Sequence, residues 1–101
     1  MAPRSQLQAL LADLSGVTAA YFQPPATVKM TYPCIVYRLD DIDTKFANNN
    51  PYMHKKRYMV TVIDRDPDSL IPDAVAKLPS CVFLRFYVAD QLNHTVYNLY
   101  F

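Results

Sequence analysis

A chain of 101 residues with a net charge of +1, 51% of it hydrophobic and 13% aromatic, has material for one core and one domain. That composition excludes a disordered chain, and no apolar run is long enough to cross a bilayer. The near-neutral charge excludes a protein that holds nucleic acid mainly by bulk positive charge.

The opening MAPRSQLQALLADLSG has no long apolar stretch and turns polar at Asp13, so a cytoplasmic product without a signal peptide is expected. Ser5 is placed to cap a helix whose Leu7, Leu10, Leu11 and Leu14 form one apolar stripe. Gly16 stands where that helix should stop. Pro24, Pro25 and Pro33 make the segment from Val17 to Tyr32 an extended connector.

The next elements are a strand over Cys34–Leu39 and another over Lys55–Ile63, rich in β-branched and aromatic residues. Between them DDIDTKFANNNPYM, residues 40–53, reads as a long polar loop, a length that in compact domains marks functional or disordered segments. Turn chemistry in DRDPDS follows. Ser69 then caps a short helix with Pro72 in its first turn, an apolar face of Leu70, Ile71, Ala74, Val75 and Leu78, and Pro79 as its stop. A third strand over Cys81–Val88, the turn ADQLN and a fourth strand over His94–Phe101 complete the chain. The expectation is a single α+β domain over residues 1–101, with element order αββαββ. Its four-stranded antiparallel or mixed sheet carries two helices on one face and a long loop between the first two strands.

Alternation divides the strands into two faces. Ile35, Tyr37, Leu39, Tyr58, Val60, Val62, Val82, Leu84, Phe86, Val88, Tyr97, Leu99 and Phe101 form one, expected under the helices. The other carries Val36, Met59, Ile63, Phe83, Tyr87 and Val96 among Arg38, Arg57 and Arg85. Two short helices cover one face only, and apolar, Met and Arg residues together have the composition of a protein interface. The alternative is that residues 17–33 wrap this second face.

Chemical motifs are sparse. Asp64-x-Asp66-x-Asp68 opens like a calcium loop, but Ser69 and Val75 stand where such a loop has its glycine and glutamate, so a capped turn is the better reading. Asp40, Asp41 and Asp43 form no recognisable acid–base pair, and His54 and His94 lack partners at ligand spacing. Cys34 and Cys81 read as buried thiols. A single glycine excludes a Gly-rich phosphate loop. No enzyme, cofactor or metal is expected. His54-Lys55-Lys56-Arg57 beside Tyr52 and Tyr58 suits a passing contact with nucleic acid.

Three stretches carry a resemblance: Tyr32-Pro33-Cys34-Ile35-Val36-Tyr37 with Asp40-Asp41-Ile42-Asp43; Tyr58-Met59-Val60-Thr61-Val62-Ile63-Asp64 with Pro67-Asp68-Ser69; and Leu92 to Phe101. Over roughly residues 32–101 the chain resembles the tail-terminator, or tail-completion, proteins of long-tailed bacteriophages. The first thirty residues share only a leading helix with them. The resemblance implies a structural virion protein that forms a hexameric ring on the major tail-tube protein, ends tube polymerisation and joins a head-completion or connector protein. It implies residence at the tail–head junction after assembly in the host cytoplasm, transient passage of genomic DNA, no membrane, no cofactor and no catalysis.

On that reading residues 40–53 order against an adjacent subunit or ring, through Asp40, Asp41, Asp43, Lys45, Phe46, Asn48, Asn49, Asn50 and Tyr52. Arg38, Arg57, Met59, Arg85 and Tyr87 lie on the assembly face, the arginines paired with a neighbour's aspartates. Lys55 and Lys56 face passing DNA. A head-closure or adaptor ring is the neighbouring alternative, and a small nucleic-acid-binding module the more distant one.

Overall fold

The computed structural model describes residues 4–25, 27, 29–47 and 50–101, and the side chains of these apart from residues 43–55. Its first element is α1, Arg4–Ala12, which buries Leu7 and Leu11 and leaves Leu10 largely in solvent. Ser5 lies inside this helix rather than at its cap. α1 stops at Ala12, four residues before the glycine expected to end it. Gly16 instead adopts φ +90, free of a Cβ penalty, in the turn that the Val17 amide closes on the Leu14 carbonyl at 3.2 Å.

The sheet has five strands, not four. The segment expected to be a connector contributes β1, Ala19–Phe22, which pairs in parallel with the start of β2, Cys34–Ala47. The prolines that argued for a connector all lie beyond Phe22, so they end β1 rather than forbid it. β2 runs antiparallel to β3, Asn50–Asp64. After α2, Ile71–Ala76, come β4, Cys81–Ala89, and β5, Leu92–Tyr100. The order across the mixed sheet is β1-β2-β3-β5-β4.

The stretch expected to be a long loop is strand on both sides. Pairing continues from Asp41↔Arg57 through Asp43↔Lys55 to Ala47↔Asn50, with one irregularity after Leu39 and another after Lys45. β1 ends at Phe22, opposite Tyr37, and β5 last pairs at Tyr100, opposite Arg57. Beyond Lys56, whose carbonyl accepts the Phe101 amide at 3.0 Å, β2 and β3 therefore continue as a two-stranded arm. The longest dimension of the molecule is 51 Å against 27 and 23 Å for the others.

One sheet face is closed by the helices. Leu7, Leu11, Ile71 and Val75 pack on Ile35, Tyr37, Tyr58, Val60, Val62, Tyr97 and Leu99, with Ala20, Phe22 and Phe101 at the margins. Two tyrosines fasten the helices to this sheet. The Tyr37 hydroxyl donates to Gln8 of α1, and the Tyr97 hydroxyl donates to the Pro72 carbonyl of α2 at 3.0 Å. Ser69 Oγ accepts the Ile71 amide at 3.3 Å at the start of α2, whereas Leu70 points to solvent rather than to the apolar face. A two-residue turn joins β4 to β5, and Asp90 and Gln91 both have positive φ, as the twist of such hairpins demands.

The second face is covered only in part. Cys34, Ile63 and Val96 are buried there. The chain after β1 returns beside it, where Pro24 and Met30 line an open cleft of about 620 Å³ with Val36 and Arg38. The Thr31 amide donates to the Tyr21 hydroxyl at 3.2 Å, and Arg65 sits over the Tyr32 ring at 5.6 Å. Cover from Pro24, Met30 and Tyr32 thus accounts for the β1–β2 side of this face. Among the described residues it does not reach β4 at the far edge.

Candidate assembly interface

β4 has the sequence CVFLRFYVA, and as the last strand in the sheet order it presents an unpaired backbone edge. Its register with β5 slips between Phe83 and Arg85. Phe83 stands opposite Tyr97 and makes an edge-to-face contact with its ring at 5.9 Å, on the helix side. After the slip, Phe86 opposite Thr95 and Val88 opposite Asn93 keep to that side, while Arg85 and Tyr87 take the other. This corrects the simple alternation for the first half of the strand. Cys81 and Phe83 belong with the helices, and Val82, opposite Asn98, belongs to the second face. A bulge of this kind adds one residue and so inverts every assignment on one side of it.

Neither side of β4 is covered. Val82 is 59% exposed, Phe83 58%, Phe86 53% and Val88 60%, with Leu84 and Tyr87 also open. α2 ends at Ala76 and reaches only the first residues of the sheet edge, where Leu78 and Cys81 join the core. A long apolar edge strand, interrupted here only by the slip after Phe83 and by Arg85, is a template for pairing with another chain. On the second face Tyr87 stacks on His94 at 4.6 Å and 12°, a flat aromatic surface beside the edge.

The three arginines separate. Arg57 is engaged within its own chain. Its Nη2 lies 2.9 Å from Asp40 Oδ2 and 3.9 Å from Asp41 Oδ2, and its Nε donates to Asp40 at 2.9 Å. The irregularity after Leu39 leaves Asp40 unpaired in the ladder and frees its carboxylate to meet Arg57. The expectation that Arg57 and Asp40 serve a neighbouring subunit therefore meets an internal ion pair. Arg38 is exposed and donates to Met59 Sδ at 3.4 Å, so these two interface candidates occupy each other. Arg85 has no side-chain partner among the described residues.

Of the remaining candidates, Asp41 is exposed at the root of the arm, with its Oδ1 accepting the Ile42 amide at 2.8 Å. Lys56 stands opposite Ile42 there. Asp43, Lys45, Phe46, Asn50 and Lys55 are placed by backbone register along the arm, Tyr52 lies in β3 at the second irregularity, and the side chains of all six lie outside the described residues. Asn48 and Asn49 lie outside the described residues altogether.

The aspartates of residues 64–68 are spent on the backbone. The Asp66 amide donates to Asp64 Oδ1 at 3.0 Å and the Asp68 amide to Asp66 Oδ1 at 2.9 Å, a ladder of side-chain turns. Burial pushes the Cys34 thiol up from 9.0 to about 11, with Asp64 adding to the effect, and burial raises Cys81 too. Neither thiol is disposed to ionise and attack. No helix among the described residues is long and apolar enough to cross a membrane.

Sequence reasoning put Phe83, Arg85 and Tyr87 of β4 on the face read as an interface and missed Val82, Leu84, Phe86 and Val88, which it placed under the helices. The usable signal was the near-unbroken apolar run, which requires cover on both faces. Two helices of nine and six residues cannot provide it. Comparison with protein-family models, curated proteins and solved structures finds no match.

Proposed function

We propose that the chain is a structural subunit of a phage neck, a tail-terminator protein that assembles into a ring on the tail tube. The observation that supports this reading most is β4, an apolar edge strand open on both faces. A surface of that kind is tolerated in a protein that spends its working life in an assembly. The arm adds a second projecting element, as a subunit that must touch neighbours or an adjoining ring requires. The sequence resemblance supplies the particular setting: a hexamer between the major tail-tube protein and the head connector, with genomic DNA passing through and no catalysis.

Electron microscopy of lysates from a phage or prophage with this gene disrupted tests the proposal. Overlong tail tubes beside separate, DNA-filled heads are expected. Tails of normal length beside heads that have lost their DNA would overturn the terminator reading in favour of a head-closure ring. Unaltered particles would overturn both.

A further inference from the structure

We propose that the partner of β4 is the outer edge of β2 in a second copy of this chain, so that subunits join head to tail by extending one sheet. The inference deepens the reading of β4 as an assembly surface and rests on it. Strand direction supports it first. β1 and β2 run one way, β3 the other, β5 with β2, and β4 with β3. A second copy placed beside β4 in the same orientation therefore presents its β2 antiparallel to β4, the geometry in which two edges exchange ladder hydrogen bonds directly. A contact between two different edges of the same molecule repeats and closes into a ring when its rotation allows.

The edge of β2 is open where this requires. β1 stops at Phe22, the Gln23 amide donates to the Tyr37 carbonyl at 3.0 Å, and Gln23 Oε1 caps the Leu39 amide at 3.2 Å. From Asp40 onward no strand lies outside β2 among the described residues. The side chains at this edge complement β4 face by face. Leu39 and Ile42, 38% and 45% exposed, stand opposite Tyr58 and Lys56 on the helix side of the sheet. Phe83, Phe86 and Val88 of β4 lie on the same side. On the second face β2 carries Asp41, and β4 carries Arg85, which has no side-chain partner among the described residues.

Setting Phe86 opposite Ile42 of the next copy brings Tyr87 opposite Asp41 and Arg85 opposite position 43, also an aspartate, with Asp41 one diagonal step away. Opposite charges facing each other across a strand pair are favourable. The opposite arrangement, β4 against β4 about a two-fold axis, centres on Arg85 and sets two like charges against each other. Like charges directly opposite on a sheet are unfavourable. Charge thus selects the head-to-tail contact over the two-fold one.

Disulfide trapping tests the contact directly. In a Cys81→Ser background, which removes the partly exposed native thiol, the double variant Ile42→Cys/Phe86→Cys should give on oxidation a covalent ladder extending beyond the dimer. Leu84→Cys/Phe86→Cys, two positions that would face each other across a two-fold centred on Arg85, should remain monomeric under the same conditions. Dimers from that variant would overturn the proposal in favour of β4–β4 pairing, and an absence of ladder from Ile42→Cys/Phe86→Cys would overturn it outright.

Charge exchange gives an independent readout that does not depend on new cysteines. Arg85→Asp and Asp43→Arg should each shift the mass distribution of the native protein toward monomer by tenfold or more in apparent affinity. The two substitutions together should restore most of it, and no restoration would overturn the pairing. A ladder obtained from a protein whose gene disruption leaves tails unaltered would leave this contact standing and remove the tail-joining reading.

Discussion

β5 and β4 are neighbours, nine residues each, joined by a two-residue turn, and they have opposite fates. β5, LNHTVYNLY, is the more polar strand, yet it buries Val96, Tyr97 and Leu99. β4, CVFLRFYVA, is the more apolar, and beyond Cys81 every residue is exposed. Hydrophobicity alone would have placed them the other way round. Position decides: β5 has a strand on either side and helices above one face, whereas β4 has one neighbour and little above it. The apolar residues of β5 hold the monomer together, and those of β4 are surplus to it.

The sharpest way to break that contrast is to cut one large apolar side chain from each of the two regions. Leu11→Ala removes a fully buried side chain of α1 packed in the core cluster and should cost about 3 kcal/mol of unfolding free energy. Phe86→Ser removes a larger but half-exposed side chain and should cost about 1 kcal/mol or less, since much of its surface is already in water. Denaturant titrations at a concentration where the protein is monomeric give both numbers. Self-association should respond in the reverse order, weakened strongly by Phe86→Ser and little by Leu11→Ala in the folded population. Equal losses of stability would show that β4 is part of the monomer's core after all.

The same contrast marks what could be seen in the sequence. α1, α2 and the buried halves of β2, β3 and β5 announce themselves because each has one covered face, and coverage is what imposes periodicity. Leu7 and Leu11 or Val60 and Val62 are legible for that reason. The arm is not: residues 41–47 and 50–56 pair only with each other, past the last pairings of β1 and β5, and three asparagines and a proline dominate the reading. β1 is four residues long and too short for a period of two to stand out. On β4 a single slipped residue exchanged Phe83 with Val82, an inversion that no pattern of side chains reveals in advance. Arg57 was recognised as important, but its partner Asp40 became available only because the strand bulges there.

A smaller effect sharpens the account of how α1 leads into the sheet. Gly16 has φ +90, and a Cβ there would meet Ile71 no closer than 3.6 Å, an ordinary contact. Gly16→Ala should therefore destabilise by about 1 kcal/mol through backbone conformation, without a steric clash. A loss of several kcal/mol would mean that the approach to α2 is tighter than this. The Arg57–Asp40 pair at the root of the arm is partly open to solvent on both sides. A double-mutant cycle on Arg57→Ala and Asp40→Ala should give a small coupling that weakens as salt is added. A coupling insensitive to salt would place the pair deeper than β5 and the arm now leave it.

The smallest effect concerns pH, and it separates the covered region from the open one chemically. Burial holds the Cys34 thiol protonated up to about pH 11, against 9.0 for an ordinary thiol. Between those values the unfolded chain binds fewer protons than the folded one, so unfolding free energy falls as pH rises. The contribution of Cys34 is fully present below pH 9 and is lost as pH climbs through about 11. Tyr58 and Tyr97, both raised chiefly by burial, act in the same direction at the upper end of that range. Denaturant midpoints measured from pH 8 to 11 should therefore decline, and Cys34→Ala should decline less steeply over the first part of the range. Thiol labelling at pH 9 supplies the companion measurement. Cys81, partly exposed at the start of β4, should react from the folded protein, and Cys34 only at the rate at which its end of the sheet opens. Equal labelling of the two thiols would mean that the edge carrying Cys81 is covered in solution, and its dependence on protein concentration would then show whether a second copy covers it.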